Sequence, residues 1–189
     1  MRIPIRQKGI SLGRDYNKSE THWRTVVWDQ QQEKFYGVDE SASLLFSFDP
    51  RAGAYGEVQP LGQMCVEGMN DSRDVPYATL SLALGTDRKL YYAVPEREFD
   101  YSGSQGVGIS HLLTYDLTTG RADDLGEMRL ADGRRVIGLN SADASPDGTI
   151  YFVGAIEVRE KPSAPLEAAG RIGNVLYRLA LIIYHPKSN

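Results

Sequence analysis

Three side chains carry groups that a proton-transfer reaction needs. His22 can take up a proton near neutral pH, Tyr77 can donate one to a leaving oxygen, and Arg24 can neutralise a carboxylate beside the reacting carbon. Together they could remove a proton next to a carboxylate and expel an oxygen, which is an elimination. This chemistry requires that the three side chains meet. Otherwise His22 and Tyr77 are partly exposed packing residues at the start of a strand, or they bind a ligand without reaction.

A repeated pattern in the chain would bring these residues together. Three segments align without a gap, each with a strand, a turn and a second strand: HWRTVVWDQQQEKFYGV, YATLSLALGTDRKLYYAV and IGLNSADASPDGTIYFVG. A tyrosine lies in register in each second strand: Tyr36, Tyr91 and Tyr151. The alignment places His22, Tyr77 and Ile137 at equivalent positions where the first strands begin.

Two further segments, Leu44–Gly62 and Leu112–Gly126, share a second sequence pattern. Each has a strand of alternating apolar residues, then an Asp, three residues, a Gly, and a second short strand that ends in Leu-Gly. An Asp side chain can accept hydrogen bonds from its own turn, and Gly can adopt a positive φ. Both segments are therefore predicted to be tight hairpins.

The repeated strand pair and the repeated hairpin together give a unit of four antiparallel strands. This unit recurs every 55 to 60 residues, measured from Phe35 to Leu90 and from Leu90 to Ile150. The predicted units span 14–62, 75–128 and 136–184, and the third lacks a clear last strand. The segment ISLG (10–13) is similar to the end of a further last strand.

The phrases YDLTTG and SPDGTIY resemble those of the β-propeller superfamily that includes gluconolactonase-like proteins, quinoprotein-type repeats and propeller-fold polysaccharide lyases. The resemblance covers most of residues 10–184. It implies an all-β, propeller-like fold with about three four-stranded antiparallel blades. Its motifs specify turns and packing, so it indicates the fold more strongly than the activity.

Propellers usually have about four to eight blades, so about three blades form an incomplete ring. Three arrangements remain open: the C-terminal part of a longer propeller, two or more chains that complete a ring, and an open stack of three sheets. Unpaired strand edges favour association. Self-association through open blade edges is therefore expected.

Strand alternation places every long connection at one end of the sheets and the short turns at the other. The long connections include residues 63–77, 95–111 and 154–174. Because loops carry function more often than the strands beneath them, this end is the predicted ligand-binding end. The predicted catalytic residues there are His22, Arg24, Tyr77 and His111, and the predicted substrate-binding residues are Glu96, Tyr101 and Asn140. Propeller-fold lyases are similar in using His, Tyr and Arg.

A calcium ion is a weaker expectation that the gluconolactonase-like resemblance implies. Asn140 and Asp143 lie on or just after the first strand of the third unit, but the other two units supply no carboxylates to complete an oxygen cage. The alternative is a hydrogen-bonded Asn and an Asp that begins a turn. The prediction is therefore no cofactor and no metal ligands, with calcium left open.

Composition excludes several classes of protein. A chain of 189 residues with 41% hydrophobic and 24% charged residues is long and apolar enough for a globular core. Its net charge of −4, without a run of Lys and Arg, predicts neither a nucleic-acid nor a membrane partner. The single cysteine, Cys65, can form no internal disulfide and is expected to be a buried or half-buried apolar residue. Trp23 and Trp28 are expected on opposite faces of one strand, both packed in the core.

The N-terminal residues contain no apolar signal region, and no stretch reaches about 18 apolar residues. The expected location is the cytoplasm, unless the chain is a fragment of a longer exported protein.

The leading functional hypothesis is a carbohydrate-related propeller that binds a sugar, an oligosaccharide or another small ligand at the predicted ligand-binding end. Lyase chemistry, or hydrolysis of the lactonase type, is an extension of it. The alternative is a non-catalytic propeller module for protein–protein interaction.

Overall fold

The structure, a computed structural model, describes residues 23–39, 43–66, 81–95, 110–158, 170–172 and 175–186. This part of the chain consists of strands and turns and contains no helix. The expectation of an all-β fold is therefore confirmed.

The strands form three separate antiparallel sheets of four strands each. Sheet 1 contains, in spatial order, β1 (Trp23–Asp29), β2 (Lys34–Asp39), β3 (Leu44–Asp49) and β4 (Glu57–Gln63). Sheet 2 contains β5 (Leu82–Leu84), β6 (Lys89–Pro95), β7 (Ser110–Asp116) and β8 (Arg121–Glu127). Sheet 3 contains β9 (Val136–Ala144), β10 (Ile150–Glu157), β11 (Gly170–Ile172) and β12 (Val175–Tyr184).

Sheet 3 departs from the order of the other two. Its spatial order is β9, β10, β12 and β11, so the outermost strand comes from the connection that precedes β12. This edge strand has three residues and pairs only with the start of β12, from Val175 to Tyr177. The third unit, predicted to lack a clear last strand, has in that position a short strand from another part of the sequence.

Both predicted hairpins are confirmed in their turn chemistry. The Asp49 carboxylate accepts the N–H of Arg51 at 2.9 Å, and the Asp116 carboxylate accepts the N–H groups of Thr118 and Thr119 at 2.7 and 3.0 Å. These bonds hold the pKa of Asp116 below its usual value. The glycine four residues after each Asp has a positive φ, 59° at Gly53 and 69° at Gly120.

The turns between the first and second strands also repeat one backbone conformation. Glu33, Arg88 and Gly148 lie two residues before the aligned Phe35, Leu90 and Ile150, and all three have positive φ, at 50°, 65° and 88°. Only the third copy has a glycine at this position, and glycine adopts a positive φ without strain. The ungapped alignment therefore extends to the backbone of the turns.

Sheet 2 lies between the other two and is buried on both faces. Alternate residues of its strands face opposite ways, as the period of two requires. One set packs with sheet 1 in a core made of Tyr36, Val38, Leu45, Met64, Leu82, Leu90, Tyr92, Val94, Leu113 and Tyr115. The other set packs with sheet 3 in a core made of Ala83, Tyr91, Ala93, Leu112, Met128, Val136, Ile150, Phe152, Ile156 and Ile182.

Polar groups inside these cores are paired. Tyr92, fully buried, donates its hydroxyl to the Met64 carbonyl oxygen at 2.8 Å. Tyr91 donates to the Asp87 carboxylate at 2.8 Å. Burial raises the pKa of both tyrosines, and the nearby carboxylate raises that of Tyr91 further, so both stay neutral donors over the physiological pH range.

The first strands of the three sheets lie in a row, because β1 contacts β5 and β5 contacts β9. Their following turns are also neighbours. Arg88, after β5, donates from Nη1 to the Asp29 carboxylate at the end of β1, at 2.6 Å. Thr86, in the turn after β5, lies 2.9 Å from where a side chain on Gly148 would begin. We call this end of the sheets the turn end.

The outward faces of sheets 1 and 3 carry exposed apolar side chains. The sheet 1 end face is defined by the exposed Val26 and Trp28, the half-buried Phe35 and Phe48, and the fully buried Phe46, and Trp28 is 44% exposed. The expectation that Trp28 packs in the core is therefore wrong, because its side chain lies on the outward face of sheet 1, away from the core shared with sheet 2. The sheet 3 end face is defined by Val153, Leu179, Leu181 and Ile183, of which Leu181 is 62% exposed.

The described residues form three sheets and no closed ring. The assignment of the sheets as propeller blades, and the division at 14–62, 75–128 and 136–184, stay predictions.

The shared turn conformation gives a testable consequence at Gly148. Gly148→Ala should lower the free energy of unfolding by about 1–2 kcal/mol, because alanine is strained at positive φ and its Cβ would meet the Thr86 hydroxyl. The measurement is urea unfolding followed by circular dichroism. Gly138→Ala, a strand position with open space around the new methyl, is the matched control and should not destabilise. Equal effects at the two positions would contradict the repeated turn.

Candidate functional site

The end opposite the turn end is the one at which β7 and β9 begin and β6 and β10 finish. We call it the loop end. It corresponds to the predicted ligand-binding end, and the polar side-chain pairs described below belong to sheets 2 and 3. The connections of 67–80, 96–109 and 159–169 lie outside the described residues.

His111, the second residue of β7, forms the clearest polar pair at this end. Its Nδ1 lies 2.9 and 3.2 Å from the two carboxylate oxygens of Asp124 on β8. An irregularity in the pairing of β7 with β8, between His111 and Leu113, brings the two side chains together. The Asp124 carboxylate also accepts the N–H of Gly126 at 2.7 Å, which fixes its orientation.

This arrangement decides which nitrogen of His111 faces a ligand. A carboxylate can only accept, so Nδ1 carries the proton and donates it to Asp124, and Nε2 is then the acceptor of the neutral ring. The two side chains are 19% and 24% exposed, so the pair can be reached from solvent. It can bind a hydroxyl or act as a base toward one.

The pair lies on the outer side of sheet 2. Asp124 belongs to β8, the edge strand farthest from β5, whereas the predicted site was centred on the row of first strands. Asn140 lies on β9 at an irregularity in the pairing with β10, and its side chain is exposed. The structure therefore places His111 and Asn140 on different sheets. Their predicted roles stay predictions.

The remaining predicted site residues lie wholly or in part outside the described residues, so their predicted convergence stays a prediction. Arg24 lies on β1, and its side chain is outside the described part. His22, Tyr77, Glu96 and Tyr101 are also outside the described residues. Ile137, at the position aligned with His22 and Tyr77, is fully buried against Ala155, Val175 and Tyr177. The third unit thus contributes packing at this position.

An ion pair at the loop end was missed by the sequence analysis. Arg135 donates from Nη2 and Nε to the Glu157 carboxylate, at 3.0 and 3.2 Å. The pair joins the start of β9 to the end of β10, next to the paired residues Val136 and Ile156. The sequence does place opposite charges beside the two predicted strands. Only the correct register of the strands shows that Arg135 and Glu157 meet.

No group of three or more His, Cys, Asp or Glu side chains that could hold a metal ion occurs among the described residues. The Asp143 carboxylate accepts the N–H of Ala144 at 2.8 Å, just before the turn that leads to β10. The calcium site stays an untested prediction.

The cysteine is half-buried at the loop end, just after β4. Burial raises the pKa of the Cys65 thiol to about 11. The thiol is therefore protonated at neutral pH and is a poor nucleophile.

Comparison with known proteins supplies no family. No protein-family model matches the sequence, and no curated protein is significantly similar to it. The described part of the chain also contains no helix that is long and apolar enough to cross a membrane. Function has to be argued from the geometry alone.

The raised pKa predicts slow alkylation of Cys65. At pH 8 the folded chain should react with iodoacetamide roughly two hundredfold more slowly than a solvated thiol, whose pKa is about 8.5, because the thiolate fraction is that much smaller. The rate should rise about tenfold per pH unit up to pH 11. The chain unfolded in urea is the control, and equal folded and unfolded rates at pH 8 would contradict the assignment.

Proposed function

We propose that this chain is a propeller-type module of three blades whose function is to bind another protein through the sheet 3 end face, without catalysis. The observation that carries the proposal is the row of exposed apolar side chains on the sheet 3 end face: Val153, Leu179, Leu181 and Ile183. Large exposed apolar patches on a folded domain are typical of protein-binding surfaces.

The arrangement of the sheets supports the propeller interpretation. Each sheet has four antiparallel strands, the first strands lie in a row, and the neighbouring turns contact one another at the turn end. Stacked four-stranded sheets with their first strands side by side are the arrangement of successive blades. In such a series both faces of each blade are covered, and here the outward face of the last sheet is exposed.

The size of the sheet 3 end face is sufficient for binding when both partners contribute. Each half-exposed side chain gains about 1 kcal/mol when it is fully buried, so the four side chains of one face contribute about 4 kcal/mol. Association costs about 4–15 kcal/mol. A partner must therefore bring an apolar face of its own, and another β-sheet face is the natural complement.

Photo-crosslinking tests this proposal directly. A benzophenone amino acid replaces Leu181, on the sheet 3 end face, in cells that produce the full chain. Because the bound partner covers this face, we expect a protein adduct after irradiation, detected as a band of higher mass. Leu125 on β8 is the matched control, since it is 48% exposed and outside both end faces. No adduct from position 181, or equal adducts from both positions, would contradict the proposal.

A second candidate function is carbohydrate binding at the loop end. The His111–Asp124 pair favours it, because a fixed ring nitrogen beside a carboxylate can hydrogen-bond to sugar hydroxyls. Lyase or lactonase chemistry would additionally need His22, Arg24 and Tyr77 to converge. That convergence is an extension of the proposal.

This second candidate is tested with a panel of oligosaccharides and polysaccharides, including uronates. Binding measured by calorimetry should weaken at least tenfold in His111→Ala, because the variant loses a hydrogen-bonding group. His185→Ala is the matched control, because His185 contacts Thr149 near the turn end. A lyase would raise the absorbance of unsaturated uronate products, and Tyr77→Phe should abolish that rise. No binding across the panel, or equal loss in both histidine variants, would exclude this candidate.

A further inference from the structure

We infer that two copies of this chain pair strand to strand through the outer edge of β12, from Arg178 to Tyr184, which we call the open edge. The third sheets of the two copies, four strands from each, then form one continuous sheet. The contact is made by backbone groups, whereas the proposed function uses the side chains of the sheet 3 end face. The inference therefore goes beyond the proposed function and does not depend on it.

The outer edge of β12 is covered over only part of its length. In sheets 1 and 2 the last strand pairs with the third strand from Leu44 to Asp49 and from His111 to Asp116. In sheet 3, β11 pairs only with the first three residues of β12, Val175–Tyr177. Among the described residues, none pairs with the remaining part of this edge.

The backbone groups on the open edge follow from one hydrogen bond. Val158, just after β10, donates its N–H to the Leu176 carbonyl oxygen at 2.9 Å, so the backbone groups of Leu176 point toward β10. In an antiparallel ladder the N–H and C=O of one residue point to the same side, and successive residues alternate. The pairing of β10 with β12 is regular throughout. The groups that point away from β10 along the open edge therefore belong to Leu179, Leu181 and Ile183.

The open edge lacks the features that protect the outer edges of sheets 1 and 2. β4 contains Glu57 and Pro60, β8 contains four charged residues, and each of these strands pairs with its neighbour through an irregularity. Charges, proline and irregular pairing all discourage the addition of another strand. The open edge has a charge only at its first residue, Arg178, and its backbone is regular. Its sequence and geometry therefore favour the addition of a strand.

A second copy supplies a strand that matches this edge. The open edge has seven residues, with Leu181 at its centre. When two such edges pair antiparallel about this centre, Leu179 of one copy pairs with Ile183 of the other, and the two Leu181 residues pair with each other. These three pairs form two backbone hydrogen bonds each.

The pairing is limited to two copies. Pro186, two residues after the open edge, cannot donate to a ladder, so the added strand ends where β11 of the other copy begins. The same edge of both copies is used, which makes the contact isologous and closed. On the joined sheet the apolar side chains of the two edges become cross-strand neighbours, which adds to the stability of the pairing.

The test is the mass of the full chain in solution, measured by light scattering after size exclusion. We expect a dimer, twice the chain mass of 21.0 kDa. Leu181→Pro should raise the dimer dissociation constant by roughly thirtyfold or more, because it removes both N–H groups of the central pair and hence two hydrogen bonds. The N–H of Leu181 points away from β10, so sheet 3 itself should form, and circular dichroism checks that it does.

Leu181→Ala is the matched control, because it shortens the same side chain and keeps its N–H. It should raise the dissociation constant less than about fivefold. Val153→Glu places a charge on the sheet 3 end face but not on the open edge, and it should leave the dimer unchanged. If either variant dissociates the dimer as strongly as Leu181→Pro does, the two copies meet through their faces, and the inference is overturned.

Hydrogen exchange followed by mass spectrometry decides the question if Leu181→Pro fails to fold. The amides of Leu179, Leu181 and Ile183 should be protected at high protein concentration and should exchange faster on dilution. Protection that does not depend on concentration would mean that the edge is covered within one chain, and it would overturn the inference. A wild-type monomer or a ladder of larger species would overturn it as well.

The inference and the proposed function can fail separately. A wild-type monomer that still gives a photo-adduct with a different protein at position 181 overturns the dimer and leaves the proposed function standing. A dimer that gives an adduct of two copies, and none with a different protein, supports the inference and contradicts the proposed function.

Discussion

Sheet 2 imposes the constraint on which the rest of the structure depends. Its second strand contains Leu90, Tyr91, Tyr92, Ala93 and Val94 in succession, and all five are buried. Because successive residues of a strand point to opposite faces, both faces of the sheet are apolar and both must be covered. Sheets 1 and 3 cover them. A two-layer sandwich could satisfy only one face, so three layers are the minimum arrangement for this sequence.

The same strand pattern in sheets 1 and 3 then creates the surfaces that bear on function. Each end sheet has one face that packs on sheet 2 and one that points outward. The outward face of sheet 3 is apolar and exposed, at Leu179, Leu181 and Ile183. The loop end is chemically different, since it carries the polar pairs His111–Asp124 and Arg135–Glu157. Protein binding and ligand binding would use separate surfaces.

Much of the fold could be predicted from the sequence because its signals are local. The Asp and Gly of each hairpin act within five residues, and the aligned tyrosines mark a register that the backbone repeats. The edge strand β11 could not be predicted, since three residues within a long connection carry no periodicity. Trp28 was placed in the core because its residue type favours burial. Its exposure depends on the position of its sheet in the stack, which a strand pattern does not specify.

The candidate site was less predictable for the same reason. The Nδ1 of His111 meets Asp124 through an irregular pairing, and Arg88 meets Asp29 across two sheets and 59 residues of sequence. Neither contact has a local signal. The roles proposed for His22, Tyr77, Glu96 and Tyr101 depend on connections outside the described residues, where turn chemistry gives no register.

The stacking of sheets face to face is tested most directly by the ion pair that crosses from sheet 2 to sheet 1. Asp29 is 2% exposed, and Arg88 reaches it from the next sheet at 2.6 Å. A double-mutant cycle with Asp29→Asn and Arg88→Met, measured by urea unfolding, isolates their interaction. The stacked arrangement predicts a coupling energy of about 1 kcal/mol or more. Additive effects, within about 0.3–0.5 kcal/mol, would contradict the contact between the sheets and the account built on it.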